Sequence, residues 1–125
     1  MAMVRTALDL TPEELAQFRV GRGWEQADLE ARWTEGHEVA RAAARLLRKG
    51  FAATRVVLFG SLANRSCFTP WSDVDLAVWG IPADQFYRAV AAVTGLTPSY
   101  EVDLVDAESC RPGLRQVIER EGIEL

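Results

Sequence analysis

Val56-Val57-Leu58-Phe59-Gly60-Ser61, followed after eleven residues by Asp73-Val74-Asp75-Leu76-Ala77-Val78, is the stretch on which the fold turns. The first run is apolar and ends in Gly-Ser, the pattern of a buried strand that opens at its end into a phosphate-sized turn. The second run sets two carboxylates two residues apart, and the strand period of two points both to one face. Their Cα atoms then lie roughly 6.5 Å apart, within reach of a shared metal ion. Val74, Leu76 and Val78 face the opposite way, into a core. Asp is disfavoured inside strands, so two within one apolar strand call for a chemical reason.

A third acid extends the pattern. Tyr100-Glu101-Val102-Asp103-Leu104-Val105 alternates like a half-buried strand, with Asp103 on the face opposite Tyr100, Val102 and Leu104. Neighbouring strands are about 4.8 Å apart, so if this strand lies beside the Asp73/Asp75 strand three carboxylates converge. Such a group repels itself unless a divalent cation neutralises it, and an oxygen-only donor set favours Mg²⁺ or Mn²⁺ over zinc.

Gly-Ser, a spacer, Asp-x-Asp and a distant third Asp resemble the nucleotidyltransferase superfamily of the DNA polymerase beta type. The likeness is greatest to its small stand-alone members, the minimal nucleotidyltransferases. It covers roughly residues 40–125 and extends to Val102-Asp103-Leu104-Val105-Asp106, Leu114-Arg115 and the tail from Ile118 to Gly122-Ile123. The resemblance implies a polymerase beta-like α/β (α+β) fold, a mixed sheet flanked by helices with an N-terminal helical extension. It implies that Gly60, Ser61, Asn64 and Arg65 surround a nucleoside triphosphate, ATP first among them. It also implies that Asp73, Asp75 and Asp103 are catalytic and hold Mg²⁺, with Mn²⁺ as a substitute. Family members of this size often pair with a helical HEPN protein in toxin–antitoxin systems, so the implied activity is transfer of AMP to a hydroxyl of a partner protein. The chain departs from the family in two places. The family spacer is commonly one residue shorter, and Ala63-Asn64-Arg65 stands where Ala-Arg-Gly is usual. The rival reading is a non-catalytic antitoxin that neutralises its partner by binding alone.

Physical chemistry agrees with the implied site. Gly60 has no Cβ, so backbone can approach a phosphate closely. A helix starting at Ser61 would add the positive end of its dipole.

With 125 residues and 13.9 kDa, the chain is expected to form one domain, N-terminal helices over 1–50 and a core over 51–125. An apolar fraction of 49% and a charged fraction of 26% suit a soluble protein without a membrane segment. Met1-Ala2-Met3-Val4-Arg5-Thr6 lacks a signal peptide's hydrophobic core, and two isolated cysteines, Cys67 and Cys110, read as plain thiols of the cytoplasm. Residues 1–65 hold ten Lys/Arg against eight Asp/Glu, and residues 66–125 hold four against ten. So acidic a second half argues against a broad nucleic-acid surface and for a small nucleotide carried with a metal. A homo-oligomer is left open.

Helix signals place the remaining elements. Thr11-Pro12-Glu13-Glu14 reads as a helix start, with an end near Gly21-Arg22-Gly23. A long helix is expected from Glu25 to Lys49, its apolar stripe Leu29, Trp33, His37, Ala40, Ala44 and Leu47, with Gly50 as its cap. Strands are expected at 55–59, 73–79, 100–105 and 123–125, and helices from Ser61, at 82–94 and at 112–121. His37, on the apolar stripe, reads as a satisfied, partly buried side chain rather than a base. Core packing is the default for Trp24, Trp33, Trp71 and Trp79, though Trp71 stands beside the acids. Arg115 reads as a solvent-facing cation.

Overall fold

Three apolar segments build the sheet, and their alternation decides what faces each side. The computed structural model describes residues 25–125. Within them the order is α1 (Gln26–Phe51), β1 (Arg55–Phe59), two single 3₁₀ turns (Gly60–Leu62 and Arg65–Cys67), β2 (Val74–Trp79), α2 (Ala83–Thr94), β3 (Val102–Asp106), α3 (Pro112–Glu121) and β4 (Ile123–Glu124). The strands form one mixed sheet in the order β3-β2-β1-β4. β1 runs antiparallel to β2 and β4, whereas β2 and β3 are parallel. A parallel pair needs a long crossover, and α2 supplies it.

Val56 and Leu58 of β1, Val74, Leu76 and Val78 of β2, and Val102 of β3 join one core with Ala40, Ala43, Ala44 and Leu47 of α1 and Ala89 and Val93 of α2. Burying a Leu or Val side chain contributes about 1.5–3 kcal/mol, so this layer is the main source of stability. Val57, Phe59 and Ala77 face the other way and pack with Ile118 of α3 and Ala107. β1 is therefore apolar on both faces. On β2 the alternation leaves one face free for acids.

Several sequence expectations shift by a residue or a turn. α1 runs through Gly50 to Phe51, and Ala52 takes the left-handed cap at φ 61°. Phe51 packs against the core and carries the helix one residue past the glycine. The Ala53 N–H returns to Leu47 O at 3.1 Å, satisfying one of the last carbonyls of the helix. The strand expected from Tyr100 begins at Val102, and Tyr100 instead sends its hydroxyl to Arg32 O at 2.5 Å. The helix expected from Ser61 is a three-residue 3₁₀ turn. The helix expected at 11–21 and Trp24 lie outside the described residues. No helix among the described residues is long and apolar enough to cross a membrane.

Gly36 lies inside the continuous helix α1. It is buried, and a Cβ there would stand 2.9 Å from a Leu62 methyl and 3.0 Å from the Tyr100 hydroxyl. The missing side chain lets α1 press onto the turn after β1.

Candidate active site

Pairing brings the sequence-selected residues to one end of the sheet. Phe59 is in register with Asp75 across β1 and β2, and Asp75 with Asp103 across β2 and β3. This transverse row runs through three strands, with Gly60 and Ser61 just beyond its first member. Asp73 precedes β2 on the same face as Asp75. The sequence placed Asp103 beside the acid pair only on condition that its strand was a neighbour, and the register meets that condition.

Gly60 is required twice. Its φ is +76°, a conformation L side chains rarely adopt, and a Cβ there would collide with the Asp75 carboxylate. That carboxylate therefore lies directly over the glycine backbone, with its Cγ 3.3 Å from the position a Cβ would take. The glycine turn and Asp75 are a single unit. Because the segment is only a 3₁₀ turn, a helix dipole is not available there.

The electrostatics are those of crowded like charges. Burial, then Asp103, then Asp73 push the Asp75 carboxyl up to about 6. Asp73 is raised by burial and by Asp103, and Arg32 opposes the shift. Asp75 and Asp73 are partly buried and Asp103 is exposed on the open side. No three His, Cys, Asp or Glu side chains among the described residues close into a ready metal cage. The acids share a face and a register, and their oxygen-only donors fit a hard divalent cation such as Mg²⁺ or Mn²⁺ that would draw them together.

Gly60, Ser61 and Asn64 line a cleft of about 550 Å³ with Phe59, Ala63 and Cys67, walled opposite by Leu114, Val117 and Glu121. Asn64 and Arg65 also have ties of their own. The Asn64 side chain accepts from Ser66 N–H at 3.2 Å and pairs with Ser66 Oγ at 2.7 Å, closing the turn where the family has glycine. Arg65 is ion-paired with Glu30 and lies over the Trp33 ring at 4.9 Å, outside that cleft's lining. Arg115 is not a free cation: its guanidinium donates to Ala107 O at 2.8 Å and Glu108 O at 3.0 Å. His37 is satisfied as expected, with Nε2 2.8 Å from Leu62 O. Trp71 is 41% exposed in the loop leading to Asp73.

Sequence reasoning passed over Arg32. It is one residue before Trp33 on a helix whose apolar stripe drew attention, and only tertiary packing brings it beside Asp73.

A mixed sheet that ends in a glycine turn pressed against one of a row of acids defines a phosphate-handling α/β domain. Comparison with known proteins agrees: the profile of the family described as polymerase beta, nucleotidyltransferase matches residues 43–125, and the chain belongs to that family. A solved structure described as a minimal nucleotidyltransferase is similar at 31% identity and a TM-score of 0.59, over 74% of this chain and 95% of its own. A toxin–antitoxin structure with AMP-PNP is similar at 25% identity and a TM-score of 0.54, over 65% of this chain and 67% of its own. A tri-AMPylated Shewanella oneidensis HEPN toxin in complex with MNT antitoxin shares the fold, at 22% identity and a TM-score of 0.54 over 71% of this chain and 70% of its own. Comparison with curated proteins gives no match.

Proposed function

We propose that this nucleotidyltransferase transfers AMP from ATP to a hydroxyl of a partner protein, and that the partner is a HEPN-type toxin that the chain restrains as its antitoxin. The observation that carries the reading is the row Phe59–Asp75–Asp103 with the Asp75 carboxylate over Gly60. The toxin–antitoxin and AMP-PNP content of the similar structures supports the choice of partner and nucleotide.

In this reading the triphosphate docks beside the Gly60–Ser61 turn, and the cleft there receives the rest of the nucleotide. Asp73, Asp75 and Asp103 would hold Mg²⁺, which supplies charge neutralisation for the phosphates when bound. Asp103 is exposed, so an acceptor hydroxyl can approach it from solvent. The acceptor oxygen bonds to the α-phosphorus, the bond to the bridging oxygen breaks, and pyrophosphate leaves with the electron pair. The hydroxyl proton passes to the Asp103 carboxylate. Positioning and electrostatics dominate such transfers, and a rigid strand pair suits both. An ATP-dependent activity and two free thiols suit the cytoplasm.

The test is α-labelled ATP incubated with the protein encoded beside this one. Wild type should label the partner, and Asp103→Asn should bind ATP comparably but transfer much less. One feature favours a second reading, a binding-only antitoxin: Arg65 is ion-paired with Glu30 and lies outside the cleft's lining rather than facing a ligand there. That reading prevails if wild type and the triple Asn variant at 73, 75 and 103 neutralise the partner equally with no label transferred.

A further inference from the structure

The eleven residues between Ser61 and Asp73 hold no helix longer than one turn, yet they set the span from the glycine turn to the acids. Their own backbone bonds are local: Cys67 N–H to Asn64 O at 2.9 Å, Phe68 N–H to Arg65 O at 3.2 Å, and Ser72 N–H to Thr69 O at 3.1 Å. A string of tight turns fixes local curvature but leaves the distance between its ends soft.

External ties come from α1. At the near end His37 Nε2 lies 2.8 Å from Leu62 O. A carbonyl only accepts, so Nε2 carries the proton and donates. Towards the far end Arg32 Nε donates to Pro70 O at 3.2 Å. Both donors are held in place. Trp33 stacks beside the His37 ring at 4.5 Å and meets Phe68 of the spacer edge-on at 5.2 Å. The Arg32 guanidinium lies over the Tyr100 ring at 4.0 Å, and the Tyr100 hydroxyl returns to Arg32 O. Leu62 is the first residue of the spacer and is fully buried where Gly36 makes room for it. Pro70 is also buried, three residues before Asp73.

We propose that His37 and Arg32 are positioning residues that clamp the two ends of the spacer to α1, beyond the Arg65–Glu30 and Phe68–Trp33 contacts in its middle, and so set the separation of Gly60–Ser61 from Asp73 and Asp75. The effect on ATP rests on the nucleotide reading above; the clamp itself does not.

The experiment compares wild type with His37→Phe, His37→Gln and Arg32→Lys. Phe keeps a ring on Trp33 and removes the donor, Gln returns one, and Lys keeps the charge but not the Nε fork. Amide hydrogen exchange of residues 62–72 is read without nucleotide, and MgATP affinity by titration, with thermal melts confirming folded protein. Exchange near Leu62 should quicken in His37→Phe and that near Pro70 in Arg32→Lys. ATP affinity should fall about three- to tenfold in His37→Phe and be partly restored in His37→Gln, the scale of one positioned hydrogen bond. Where His37→Phe fails to fold, Arg32→Lys still gives the exchange readout. Unchanged spacer exchange in both His37→Phe and Arg32→Lys overturns the clamp, whereas an absence of ATP binding in wild type overturns the nucleotide reading instead.

Discussion

Replacing Asp75 by Asn should make the metal-free protein more stable, which is the reverse of what most substitutions at partly buried sites do. The swap keeps shape and removes one charge from a group that repels itself. In the fold Asp75 titrates at about 6 rather than the ordinary 3.8, through burial, Asp103 and Asp73. A raised folded value means that ionisation is harder in the native state. The penalty is absent below about pH 3.8, grows as pH rises through about 6, and is complete above it. The whole displacement corresponds to about 3 kcal/mol at most. The carboxylate is only partly buried, and solvent screening lowers the expected penalty to about 1–2 kcal/mol. At pH 7.5 in EDTA, Asp75→Asn should therefore melt about 4–12 °C above wild type, and at pH 4 the two should coincide. Saturating Mn²⁺ should then reverse the order, because an ion bound only by the native state stabilises the protein that keeps its ligands. Differential scanning calorimetry at the two pH values, with and without Mn²⁺, measures all of this. Equal melting at pH 7.5 without metal, or equal Mn²⁺ shifts in the two proteins, would refute the crowded-acid argument.

Three further outcomes follow from the glycines and the turn. Gly60→Ala should lose about 2 kcal/mol in chemical denaturation, from a left-handed residue and its collision with Asp75, and should also lose ATP binding; an unaffected affinity would mean the nucleotide lies elsewhere. Gly36→Ala should destabilise by about 1–2 kcal/mol although alanine is the better helix former, because its methyl would crowd the buried Leu62 side chain and the Tyr100 hydroxyl; a rise in the denaturation midpoint would show that Leu62 can move. Ser61→Ala should weaken ATP about two- to tenfold in calorimetric titration while leaving the fold intact, one neutral hydrogen bond's worth.

Elements with their own periodicity were legible in the sequence. β1 was placed at its residues because four consecutive apolar side chains need burial on both faces, and β2 because its alternation separates Val74, Leu76 and Val78 from the acids. Ends were less legible, because they depend on tertiary contacts that no local signal carries. Phe51 extends α1 past Gly50 by packing into the core, and Tyr100 leaves β3 to reach Arg32 O. The turn at Ser61 is the instructive difference. A serine after a strand reads as a helix cap, but Gly60 at φ +76° and the short bonds Ala63 N–H to Gly60 O and Asn64 N–H to Ser61 O close a 3₁₀ turn before a helix can propagate.

The same contrast explains which parts of the candidate site the sequence could reach. Asp73, Asp75 and Asp103 announce themselves as charges inside apolar strands, where propensity alone disfavours them. Asn64 and Arg65 were drawn in by position after the Gly-Ser pair, yet their side chains complete a turn and an ion pair with α1. Arg32 and His37 carry no such mark, since a charge or an imidazole on an amphipathic helix is ordinary. Their meaning comes from the loop that folds back across them. In a family where the glycine turn and the acids must keep a fixed separation, an extra spacer residue has to be absorbed somewhere. Here Asn64 tightens the first half of the spacer and α1 holds it from Leu62 to Pro70 through His37, Glu30, Trp33 and Arg32, while the row through Asp75 and Asp103 stays in register.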